Sequence, residues 1–222
     1  INIISYLKTT SKKYPNKKAF IINNQNISFS KLYEKVKELS NGMRINGVKK
    51  KDKIAVVSNN SLEYIFIFYA LADIGAVMIP LNTSLGTKDL IQQIKFTDTK
   101  FIFCWHSLIN KINIDRKKIK IKKENIISLG RKIVGFKNFE NLLIKKDVSF
   151  KNIVSVDSDF IIGMTSGSTS KPKAIVYSQK TKLLRGLNAK QIYDLSHKDV
   201  LILSTPMKQS ISHRFLFLPA II

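Results

Sequence analysis

Between Met164 and Gln179 the chain reads MTSGSTSKPKAIVYSQ. Five small hydroxyl residues, Thr165, Ser166, Ser168, Thr169 and Ser170, surround Gly167, and Lys171 and Lys173 bracket Pro172. A turn of this composition between two apolar segments exposes several backbone N–H groups on one side. Such a nest binds anions, above all phosphate. Each hydroxyl adds a donor without bulk. Gly167 lets the backbone approach a ligand closely or take positive φ. The two lysines bring positive charge suited to a polyphosphate. Pro172 stiffens the exit and holds the preceding residue extended. The loop is not a Walker A loop: G-x-x-x-x-G-K-[ST] is required, and position 168 is Ser where the second Gly should stand. The dinucleotide fingerprint G-x-G-x-x-G is also absent. The competing reading is an exposed Ser/Thr turn with no ligand.

The loop must be held by its neighbours. DFIIGM (Asp159 to Met164) and AIVYS (Ala174 to Ser178) read as strands on either side of it. Upstream, strand and helix patterns alternate. Ile3 to Tyr14 reads as a short helix ended by Pro15. AFIINNQNISFS from Ala19 reads as two strands joined at Asn23-Asn24. Ser30 is expected to cap a helix whose apolar residues Leu32, Val36, Leu39 and Met43 keep helical spacing up to Gly47. Lys53 to Ser58 is a buried strand, Ser61 opens an apolar helix, and Val77 begins the next strand. Thr87 is expected to cap a helix through Phe96, and KFIFCW from Lys100 is a further strand. The Ile/Lys alternation from Lys111 to Lys123 suggests a lysine-blunted edge strand or a loop. Ile126 to Leu129 is a short strand, Phe139 to Ile144 looks helical, and Ser155 to Ser158 reads as a linker before a new unit at Asp159. This order predicts an α/β fold with a largely parallel sheet and helices on its faces.

Composition narrows the partners. The 222 residues allow one large domain or two small ones. Thirty-eight basic residues oppose 15 acidic ones, a net charge of +23. Only five of the basic residues are arginine, at 44, 116, 131, 185 and 214. Base reading and bidentate phosphate clamping favour arginine, so the lysines are read as solvated surface and no nucleic-acid partner is expected. Cys104, the single cysteine, excludes an intrachain disulfide and lies in the apolar run FIFCW as a core residue. A reducing cytoplasmic setting is the simplest one. The longest apolar run, Tyr64 to Pro80, is broken by Asp73 and Gly75, whereas a membrane span needs about 18 uninterrupted apolar residues. The three histidines and Cys104 show no zinc-ligand spacing. His106 and His197 are read as structural or surface residues.

TSGSTSKPKAIVYSQ resembles the signature loop of the adenylate-forming (AMP-binding) enzymes, close to T-S-G-[ST]-T-G-x-P-K-G. Thr165, Ser166, Gly167, Ser168, Thr169, Pro172 and Lys173 match; Ser170 and Ala174 replace glycines, and Gln179 stands where many members have His. KKDKIAVVSNNSLEYIFIFYALADIGAVMIPLN is similar to the family's next block, with Gly75, Ala76, Pro80 and Leu81 in its G-A-x-x-x-P-L run. STPMKQSISHRF resembles P-L-[FY]-H-S-x-x-[HN] through Pro206, Ser210 and His213, with Gln209 for the usual His. The resemblance implies ATP, Mg2+ and coenzyme A as cofactors. It implies two steps: a carboxylate and ATP give an acyl-adenylate and pyrophosphate, and the acyl group then passes to the CoA thiol. It assigns Thr165, Ser166, Gly167, Ser168, Thr169 and Lys173 to the ATP phosphates. Gln209 and His213 are placed near the acid substrate. The segment TPMKQSISHRF has no carboxylate to pair with an α-amine, so a fatty or other aliphatic acid comes first, an aryl acid second and an amino acid after them. Residues 1–155 are expected to be a first α/β subdomain and 156–222 the start of a second carrying the loop. The later Y-G-x-T-E motif, ribose-binding Asp and C-terminal catalytic lysine have no match here, so the chain is expected to be an N-terminal fragment. Assayed alone, it should form no acyl-adenylate from ATP and any acid; measurable product would overturn that expectation.

Overall fold

The computed structural model describes residues 1–115, 118–145, 154–165 and 173–222. The main sheet has seven strands: β3 (Lys53–Val57), β4 (Val77–Pro80), β5 (Phe101–Trp105), β6 (Ile126–Leu129), β7 (Lys137–Asn138), β8 (Asp159–Thr165) and β9 (Lys173–Ser178). Their spatial order is β7-β6-β5-β3-β4-β8-β9. All neighbouring pairs are parallel except β8 and β9. A seven-residue loop joins only antiparallel neighbours, because a parallel pair needs a crossover of a dozen residues or more. A separate hairpin, β1 (Lys18–Ile22) and β2 (Gln25–Ser28), turns at Asn23 and Asn24 with φ of 47° and 64°. Asparagine tolerates that left-handed region better than most residues.

Strand periodicity divides the core in two. Ile54 and Val56 of β3 and Phe101 and Phe103 of β5 face one side; Ala55, Val57, Ile102 and Cys104 face the other. The first side is covered by α1 (Ile3–Lys13), α2 (Phe29–Ile45) and α3 (Leu62–Ile74), the second by α4 (Thr87–Phe96) and α5 (Ile109–Asp115). α3 reads LEYIFIFYALADI and buries ten of its residues. Its last-turn carboxylate, Asp73, pairs with Arg44 at 3.0 Å and Lys37 at 2.9 Å, tying α3 to α2. Gly75 ends α3 at φ 76°, where a Cβ would be strained. Among the described residues no helix is long and apolar enough to cross a membrane.

Three sequence expectations are corrected. α2 is capped by Ser28, whose hydroxyl accepts from the Lys31 N–H, and not by Ser30. The helical stripe already begins at buried Phe29. α4 is capped by Gly86, and Thr87 is its first helical residue. The Ile/Lys stretch opens as helix, with Ile112 of α5 buried in the second core, so the edge-strand alternative fails there, whereas residues 118–122 form a loop, with Ile119 and Ile121 buried. Phe139 to Leu142 forms one 3-10 turn, and α2 packs on it through Gly42. A Cβ at Gly42 would lie 1.9 Å from the Leu142 carbonyl oxygen. Gly42→Ala is therefore expected to lower stability by about 2 kcal/mol or more in urea unfolding. An unchanged midpoint would mean that the 139–142 turn yields freely.

Candidate functional site

The loop of interest closes a hairpin. β8 and β9 pair Thr165 with Lys173, Met164 with Ala174, Gly163 with Ile175 and Ile161 with Tyr177. The ladder therefore brings Thr165 and Lys173 together at the open end, with seven residues, 166–172, between them. β8 is anchored in the sheet through β4, with Ile161 paired to Met78. β9 is the sheet's edge, and Lys173 is exposed there. Ser166, Gly167, Ser168 and Thr169, assigned to phosphate from the sequence, lie outside the described residues.

After β9 the chain enters α6 (Gln179–Ile192). The Ser178 hydroxyl caps it, accepting from the Thr181 N–H at 3.1 Å. Gln179, fully buried, receives the Ile3 N–H at 3.1 Å on its Oε1 and donates from Nε2 to the Ala72 carbonyl at 2.9 Å. One side chain thus fastens the root of the hairpin to the first turn of α1 and to the last turn of α3. A neutral amide supplies both a donor and an acceptor, and this position needs both.

Gln209 and His213 differ in burial. The segment before them is pinned by Asn60: the Met207 N–H donates to its Oδ1 at 2.7 Å. Gln209 is exposed, at the start of a helical stretch made of Ser210–Ser212, His213–Phe217 and Leu218–Ile221. His213 is 1% exposed, and its Nε2 lies 3.1 Å from the Tyr64 hydroxyl. Its ring stacks on Tyr64 and packs on Phe68 and Phe217. Burial, and then the Lys182 charge, hold its pKa well below the ordinary 6.5, against a weaker pull from the Met207 backbone. That backbone does not reach hydrogen-bond geometry with Nδ1. His213 is therefore neutral. A groove of about 1130 Å³ runs between α1, the β1–β2 hairpin and residues 195–203; Met207 touches it, but neither Gln209 nor His213 does. His106 faces the Leu129 carbonyl and His197 stacks on Tyr14. Burial pushes the Cys104 thiol up to about 12, a core group and not a nucleophile. No cluster of metal-ligating side chains occurs among the described residues.

Lys182 escaped the sequence reading. It is 1% exposed; its Nζ lies 3.0 Å from the Ser210 Oγ and 4.4 Å from the centre of the Tyr177 ring. Burial, aided by Arg185, lowers its pKa to about 8. The buried stripe of α6 is Gln179, Lys182, Leu183, Gly186 and Ala189, and with Leu183 its one large apolar residue, little in the sequence marked it.

The family model described as AMP-binding enzyme matches residues 7–222. The chain belongs to the AMP-binding enzyme family. It is 28% identical over 162 residues to a 2-succinylbenzoate–CoA ligase of Bacillus cereus, covering 73% of this chain and 30% of that protein. It is 24% identical over 184 residues to a long-chain-fatty-acid–CoA ligase of Thermus thermophilus, covering 81% and 33%. The chain thus spans about a third of the length of these relatives. A long-chain-fatty-acid-CoA ligase structure from Archaeoglobus fulgidus superposes with a TM-score of 0.88 at 19% identity, covering 99% of this chain and 45% of that one. That likeness shows that this AMP-binding chain has the α/β fold expected of it.

The buried ammonium gives a pH test. Unfolded Lys182 titrates near 10.5 and the folded one near 8, so between these values the unfolded chain binds more protons. The contribution of Lys182 to stability should therefore rise with pH in that window. The Cys104 thiol, raised from 9.0 to about 12, acts in the opposite direction from about pH 9 upward, and Tyr64 and Tyr69, held well above 10 by burial, from about pH 10; comparison with Lys182→Met cancels both. Urea unfolding of the wild type is expected to gain up to about 2 kcal/mol from pH 8 to 9.5 relative to Lys182→Met. Parallel curves for the two proteins would refute it.

Proposed function

We propose that the protein carrying this chain is an ATP-dependent carboxylic acid–CoA ligase. The observation that supports it is the β8–β9 hairpin, whose last pair sets Lys173 opposite Thr165 at the mouth of the hydroxyl-rich loop, in a chain of the AMP-binding family. In the first step a carboxylate oxygen attacks the α-phosphorus of ATP, the bond to the β-phosphate oxygen breaks, and pyrophosphate leaves with that electron pair. In the second, the CoA sulfur attacks the acyl carbonyl and AMP departs. Negative charge grows on the β- and γ-phosphates during the first step. The loop N–H groups and hydroxyls of Thr165, Ser166, Gly167, Ser168 and Thr169, with the Lys173 ammonium, would hold that charge in place. Mg2+ would enter on the phosphates, whose oxygens suit its hard, octahedral demand.

The acid would lie beside the 204–213 segment, with Gln209 on its surface side and His213 behind. That segment carries no carboxylate, and neutral His213 sits among aromatic rings. Both features favour an acid with an apolar aliphatic body over an amino acid. Relatives acting on 2-succinylbenzoate and on long-chain fatty acids are both compatible with an acid lacking an α-amine. The division into a 1–155 subdomain and a second one from 156 is part of the same proposal, as is a cytoplasmic setting.

Acid-dependent ATP–pyrophosphate exchange by the whole protein tests the reading. Aliphatic acids should support exchange, and Lys173→Met should lower its rate about 100-fold. Exchange with amino acids alone would overturn the substrate class. No exchange with any acid would leave a non-catalytic nucleotide-binding protein.

A further inference from the structure

Among the described residues three acidic or basic side chains other than histidine are buried: Glu38, Asp52 and Lys182. Glu38 is paired with Lys35 at 2.6 Å and Asp52 with Lys100 at 2.5 Å. No described carboxylate pairs with Lys182. A buried charge is costly unless it is paired, and the partners Lys182 does have are neutral: the Ser210 hydroxyl and the Tyr177 ring. The Arg185 guanidinium lies 4.8 Å from the centre of the same ring. Its charge adds to the positive field and does not relieve it. The described residues supply no anion to this ammonium.

Ser210 would give an anion an approach. It is exposed, whereas Lys182 behind it is not. Its oxygen accepts from the ammonium, and its own proton is left to donate outward. An ammonium and a hydroxyl side by side suit one carboxylate. The position argues against the triphosphate. Tyr177 lies four residues along β9 from Lys173 at the loop end, about 13 Å away at the strand's rise per residue. Ser210, by contrast, belongs to the segment assigned above to the acid.

We propose that Lys182 and Ser210 form a subsite for a second carboxylate on the acid substrate, so that the preferred acid is a dicarboxylate with an apolar middle. This rests on the acid–CoA ligase reading. The test is ATP–pyrophosphate exchange by the whole protein with suberate and with octanoate, equal in carbon number and differing by one carboxylate. Wild type should favour suberate in kcat/KM by at least about 10-fold, and Lys182→Met should lower the suberate-to-octanoate ratio about 100-fold. Ser210→Ala, which leaves the ammonium in place, should lower it less, by about 5-fold. Exchange with octanoate and no change of ratio in either variant would overturn the subsite while leaving the ligase reading intact. A rise in the KM for ATP with both acids in Lys182→Met would assign the anion to a nucleotide phosphate and also overturn it. Exchange with some other acid but with neither of these would overturn the subsite and leave the ligase reading; exchange with no acid at all would defeat both.

Discussion

An apolar helix that must be covered on every side governs this structure. α3 offers no polar face to water, so α1, α2, the sheet and the 210–221 stretch must all close around it. Hydrophobic burial of this kind has no direction of its own. Direction comes from a few polar side chains set within the apolar surface. The Tyr69 hydroxyl donates to the Phe217 carbonyl at 2.6 Å, Tyr64 meets His213, and Asp73 receives Arg44 and Lys37. Phe68 sits at the centre of the aromatic contacts, touching Tyr69, Phe160, His213 and Phe217. These rings meet mostly edge to face, the arrangement their quadrupoles favour.

That wrapping carries over to the site. Because the 210–221 stretch is seated on α3, Ser210 is delivered to Lys182 on α6. Because Gln179 bonds to Ile3 and Ala72, the start of α6 cannot drift from α1 and α3. The hairpin that leads into the signature loop is therefore rooted in the core at its base. A rigid scaffold beneath a loop is the general arrangement for a binding site.

The motif resemblance in the sequence pointed to the family to which the chain belongs. The strands at β3, β4, β5, β6, β8 and β9 were legible because each is a short apolar run bounded by turn residues. The 111–123 stretch was not, because alternating Ile and Lys fits a strand and a helix turn about equally over so few residues. Cap positions were off by one or two residues at α2 and α4, where neighbouring Ser, Gly and Thr all make acceptable caps.

What the sequence by itself determined is local: the apolar periods, the loop's hydroxyls and lysines, and the lone cysteine's apolar setting. The α/β order followed from these, since parallel strands need helices to return the chain. What only the tertiary structure decided is which residues 25 to 180 positions apart share one environment. Lysine in a helix is ordinarily a solvated surface residue, and nothing local marks Lys182 as buried beside Ser210. A histidine reads alike whether it faces a ligand or lies neutral among Tyr64, Phe68 and Phe217. Burial and long-range pairing set a side chain's charge state, and both come from how elements pack, which no window of sequence contains.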